Sequence, residues 1–89
     1  MLTVTDAASA RLAQILEQEG LPTEAAIRFV YEGKGVAMRQ DNERPGDATF
    51  QHAGRTVLLL DAEVSELLSE DTLDVEGAKL TLRHPKEDK

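Results

Sequence analysis

The sequence contains no cysteine and no tryptophan, and its only aromatic residues are Phe29, Tyr31 and Phe50. Without cysteine there are no disulfides, thiolate nucleophiles or zinc knuckles, and no iron–sulfur cluster held by the chain's own sulfurs. With so few rings, the core must be built from branched aliphatic side chains, and twelve leucines and six valines are present to build it. Positive charge is also scarce: ten lysines and arginines stand against seventeen aspartates and glutamates, for a net charge of −7. Such a field repels phosphate backbones and anionic lipid, so no nucleic-acid partner and no membrane partner is expected. The longest apolar run, Val57 to Leu60, falls far short of the ~20 residues that span a bilayer. No charged-then-apolar leader opens the chain, and a soluble cytoplasmic protein is expected.

At 89 residues the chain has room for one small domain, burying roughly 60–65% of the surface that its unfolded state exposes. Leu2 and Val4 alternate with Thr3 and Thr5, a short strand pattern ending at Thr5 or Asp6, either of which can cap a helix. Ala8, Leu12, Ile15 and Leu16 then share one helical face, and Gly20, followed by Pro22, stops the helix in a left-handed cap. From Ala25 to Glu32 the period shortens: Ile27, Phe29 and Tyr31 alternate with Arg28 and Val30, as in a strand. A second strand is predicted over Val36 to Asn42, and the NERPGD sequence at 42–47 is a turn.

Extended segments follow at 48–52 and 55–60, bent at Ala53 and Gly54, and Val57 to Leu60 reads as buried on both faces. Asp61 caps a short helix that runs to about Ser69. Leu73 and Val75, a turn at Gly77, then Leu80 and Leu82 make a last pair of strands, which Pro85 ends. Residues 86–89 form a charged tail expected to fray. The order is that of one α+β domain in which sheets pack on a few helices.

Several stretches carry a resemblance. LTVTDAASARLAQILEQEG, AIRFVYEGKG, TVLLLDAEVSELLSEDTLDVEG and LTLRHP, in that order and at that spacing, resemble the HesB/IscA family of A-type iron–sulfur carriers over nearly the whole chain. The resemblance implies a HesB-like domain over residues 1–85, with mixed and antiparallel β-sheets, one N-terminal helix and one short helix. In the family, the glycine-rich loop presents a first cysteine, and a Cys-Gly-Cys pair follows an asparagine–proline. Here Val36 takes the first position, and four residues without cysteine follow Pro85. Cluster carriage therefore does not transfer. What the resemblance implies is a non-enzymatic protein without a cofactor, in an interaction or accessory role. Its partner would be a protein, in the iron–sulfur assembly machinery, and a homodimer follows by analogy.

The loop Gly33, Lys34, Gly35 and Val36 is the candidate interaction site. It lacks both Gly-x-x-x-x-Gly-Lys-Ser/Thr and Gly-x-Gly-x-x-Gly before a helix, so it reads first as a hairpin whose glycines supply positive φ. A rival function is iron or zinc binding through His84 or His52 with carboxylates, His84 being favoured because it precedes Pro85. A weaker alternative is a small-molecule binder using a cleft beside the loop. Residues 61–76 hold seven acidic and no basic side chains, either a docking face for a basic partner or a solvated surface. Asp61 fits a helix cap, and Asp74 an outward-facing strand residue. Ser9, Ser65 and Ser69 have neither a nucleophile-elbow frame nor an evident histidine partner.

Overall fold

Thr5 decides where the first helix starts. In the computed structural model, which describes residues 1–33 and 35–84, it joins strand β1 (Thr3–Val4) to helix α1 (Asp6–Gln18). Its hydroxyl accepts from the Ala8 N–H at 3.1 Å, satisfying an amide that the helix itself leaves unpaired. Ala8, Leu12 and Leu16 form the buried stripe. At the other end Gly20 has φ +69°. Its N–H donates to Glu17 O and that of Leu21 to Leu16 O, the bond pair that closes a helix through a left-handed residue.

Four strands form one sheet in the order β3-β2-β5-β4: β2 (Ala25–Glu32), β3 (Gly35–Asn42), β4 (Ala48–His52) and β5 (Arg55–Leu60). β2 and β3 pair antiparallel along their full length, whereas β2 runs parallel to β5 with Ile27 level with Leu58. Because β3 and β4 lie on opposite edges, residues 43–47 carry the chain across one face of the sheet. Helix α2 (Ala62–Leu67) follows, capped by Asp61, whose Oδ1 accepts from Val64 N–H at 2.8 Å. β6 (Thr72–Glu76) and β7 (Lys79–Arg83) are antiparallel, and β1 joins β6 in parallel to complete a second sheet, β1-β6-β7.

The core draws on both helices and both sheets: Leu12 and Leu16 meet Ile27, Phe29, Leu58, Leu60, Val64, Leu68 and Leu73. Val57 to Leu60 are completely buried, as their unbroken apolar run predicts. Leu59 stands level with Arg28 and shares a small cavity with Asn42 and Glu43, which places it on the crossover side of the sheet. Two details depart from the pattern read in the sequence. The short helix ends at Leu67 rather than Ser69, with Leu68 as its C-cap. Ala25 to Phe29 are buried without alternation, because β2 is a central strand covered on both faces. Pro85 and the tail expected at 86–89 lie outside the described residues, as does Lys34.

Candidate functional site

Gly33 and Gly35 flank the turn of the β2–β3 hairpin. Glu32 pairs with Gly35, so the loop is two residues long, and Gly33 takes φ +61°, a conformation that costs glycine little. Val36, which the sequence resemblance matches to the family's first cysteine, lies inside β3 opposite Tyr31, half-buried and packed against the core. Met38 faces Phe29 across the same hairpin, which puts Tyr31, Val36 and Met38 on one side of the sheet. Toward solvent the apolar surface continues: Tyr31 is 45% exposed, Met38 53% and Leu67 of α2 55%. A groove of about 300 Å³ beside the hairpin is floored by Val30, Tyr31, Val64 and Leu67 and rimmed by Asp61 and Glu63. This is the cleft that adjoins the loop, and it is small.

The two histidines are not brought together. His84 follows β7, and its Nδ1 lies 2.5 Å from Asp71 Oδ1, an acceptor almost wholly buried. His52 ends β4 and lines a cleft with Gly77 and Ala78 at the opposite end of β7. The five residues of β7 put roughly 17 Å between those ends. Among the described residues, no group of three or more histidines, aspartates or glutamates is placed to hold a metal ion.

The acidic stretch is not one uniform face. Asp61 is spent on its cap and Asp71 on His84. Asp74, expected to point outward, ties three elements together instead. Its Oδ1 accepts from the Thr5 hydroxyl at 2.9 Å and from Val75 N–H at 2.8 Å, and its Oδ2 lies 2.5 Å from Arg83 Nη2. Those bonds, the Val75 amide first, hold its carboxyl below the usual aspartate range. Glu63, Glu66, Glu70 and Glu76 remain exposed.

The feature that sequence reasoning missed is Arg28. It is buried on the crossover side, where Nε donates to Asp41 Oδ2 at 2.8 Å and the two Nη groups donate to the Asp47 carboxylate at 3.0 and 2.6 Å. A bond to Asn42 O and the Arg44 N–H on Asp47 Oδ2 complete the clamp. Its signal in the sequence was a lone arginine within an apolar strand, followed by aspartates on either side of a Pro-Gly turn. The guanidinium meets two carboxylates and a backbone carbonyl of the same chain, so the cluster fastens the crossover and offers no reactive group.

Comparison with known proteins settles the architecture. No family model matches the chain, and no curated protein does. Among solved structures, the crystal structure of Escherichia coli SufA, described as involved in biosynthesis of iron–sulfur clusters, aligns over 98% of this chain and 82% of that one, with a TM-score of 0.67 and 21% identity. This chain has the SufA fold. It is the fold implied by the HesB/IscA resemblance, α+β with two sheets and two helices. An iron–sulfur cluster does not fit the residues that this SufA-like scaffold presents at its loop. The chain holds no thiolate, Val36 offers only methyl groups to the core, and the nearby Met38 is a thioether and a weak ligand.

Proposed function

We propose that the chain is a non-enzymatic, SufA-like protein that acts in the cytoplasm as an accessory to iron–sulfur assembly. In this reading it binds a protein partner through the β2–β3 end and carries no cluster of its own. The observation that carries the reading is the hairpin end itself: Val36, matched by the resemblance to a ligand position of the family, packs its methyl groups on the core beside exposed Tyr31, Met38 and Leu67. Exposed apolar surface rimmed by carboxylates is a common form of protein-docking site. β3 is also an edge strand, so its free backbone is available to a partner strand or a second copy, the route to the homodimer expected by analogy.

Anaerobic reconstitution with iron and sulfide, followed by gel filtration, absorbance and iron analysis, tests the absence of a cluster. Protein free of iron and of visible absorbance is the expected result, and stoichiometric retained iron would sink the reading. Sedimentation velocity on wild type and Met38→Arg tests the surface. Self-association through this end is weakened by the buried charge, whereas equal association in both proteins rules the patch out as a dimer contact.

A further inference from the structure

A second cleft lies at the other end of the molecule. It occupies about 800 Å³ between α1, the β4–β5 hairpin and the β6–β7 turn. Level with Arg55, β2 has only reached Glu24, so eight strand residues, roughly 26 Å, separate this cleft from the GKG turn. Nothing in the proposed function uses it.

Its chemistry is opposite to that of the rest of the surface. On a chain of net charge −7, its lining carries two arginines, Arg11 and Arg55, against one carboxylate, Glu17, with His52 on the rim. Ala7, Ala10 and Ala13 of α1 add a wall of small apolar groups. Both guanidinium groups are held in place by backbone carbonyls. Arg11 Nε donates to Ala78 O at 2.9 Å and its Nη1 to Gln14 Oε1 at 3.0 Å; Arg55 Nη2 donates to Leu21 O and to Pro22 O, the latter at 3.0 Å. A guanidinium has five N–H donors, so each arginine keeps some beyond these bonds. Arg55 is also under-compensated: its Nε is sealed from solvent without a partner among the described residues, and neutral carbonyls balance its charge only in part. Fixed cations in a concave, partly apolar wall focus the field and cost little to organise when an anion arrives.

We infer that this cleft binds a small organic anion, whose carboxylate or phosphate oxygens meet Arg11 and Arg55 and whose carbon body lies on the alanine wall of α1. The site stands independently of the partner surface at the loop.

Titration of 15N-labelled protein with citrate and, separately, with inorganic phosphate, followed by amide chemical shifts, tests it. Saturable shifts at Ala10, Arg11, Ala53 and Ala78, with the Gly35 and Val36 amides unmoved, are expected from at least one probe. The probe that saturates at lower concentration identifies the anion class. Arg11→Gln, at a half-buried position of α1, weakens that binding about tenfold, the scale of one charge-assisted hydrogen bond. Arg55→Gln does the same; because Arg55 anchors residues 21–22 and Arg11 anchors Ala78, the variant whose melting temperature matches wild type is the deciding one. Non-saturating shifts with both probes to millimolar concentration, or shifts that Arg11→Gln leaves unchanged, overturn the proposal. Neither result bears on the loop surface, whose tests use other residues.

Discussion

Arg28 Nη2 stands 2.6 Å from Asp47 Oδ2, with 5% and 3% of the two side chains exposed. The pair joins the middle of a central strand to the last residue of the crossover, and Asp41, from the edge strand, takes Arg28 Nε. A buried pair of this kind is weak evidence of net stabilisation against an apolar alternative, but breaking one side leaves an uncompensated buried charge. Arg28→Met therefore costs about 3–5 kcal/mol in urea denaturation. Arg28→Lys keeps the charge and loses the fork that grips two carboxylates, and falls between wild type and Arg28→Met. A loss under about 1 kcal/mol for Arg28→Met, the scale of exposed pairs, would show that the clamp is dispensable.

The same cluster fixes how stability responds to acid. Arg28 hydrogen bonds, with the Arg44 N–H, hold the Asp47 carboxyl below its usual range, and the Asn42 N–H followed by Arg28 does the same for Asp41. A carboxyl depressed in the folded state binds fewer protons there than in the unfolded chain, so its contribution is complete above the unfolded value of about 3.9 and is lost as pH falls through the folded one. Unfolding free energy is then level above about pH 5 and declines below about pH 4. In Arg28→Met the largest cause of the Asp47 depression is gone, while burial and the Arg44 N–H remain, so the acid decline is shallower. Equal slopes in the two proteins would place the acid sensitivity elsewhere.

Ala53 is the one described non-glycine residue with positive φ, 54°, and Gly54 follows at 81°. With His52 paired to Arg55, they form a two-residue hairpin turn whose backbone suits Asn-Gly better than Ala-Gly. The left-handed conformation costs an ordinary L-residue roughly 1–2 kcal/mol, and asparagine offsets part of that. Ala53→Asn raises the melting temperature by a few degrees, at ~4–8 °C per kcal/mol for a domain of this size. An unchanged or lower temperature would mean that the turn is not strained.

The features legible in the sequence are those whose causes are local. A cap at Thr5 or Asp6, Gly20 as stop, the Gly33 turn and the buried run Val57 to Leu60 all depend on residues within a few positions; the structure takes Thr5 as the cap and the rest stand as the pattern predicts. Arg28 was not legible, because a charged residue in a strand looks like its solvent face until β3 and the crossover deliver Asp41 and Asp47 from 13 and 19 positions away. Asp74 looked outward for the same reason, since its partner Thr5 is 69 positions distant. At the candidate site the hairpin turn could be read directly. The patch could not, because Leu67 reaches it only through the packing of α2 beside β2, and the arginine-lined cleft needs three separate segments to exist.

Val36 and Met38 separate packing from surface at the loop end. They lie two residues apart on the same side of β3, yet Val36 touches the core while Met38 is more than half exposed. Removing two methyl groups from a half-buried valine forfeits part of a burial worth ~0.8 kcal/mol per methylene, so Val36→Ala lowers stability by about 1 kcal/mol. Met38→Ala deletes a side chain that water already reaches and stays within about 0.5 kcal/mol of wild type. The order reverses for association: if the patch docks a partner, Met38→Ala weakens binding more than Val36→Ala does, because the exposed thioether is the group a partner would cover. Paired denaturation and sedimentation measurements on the two variants check both halves. A Val36→Ala protein as stable as wild type would return that position to the surface and remove it from the core.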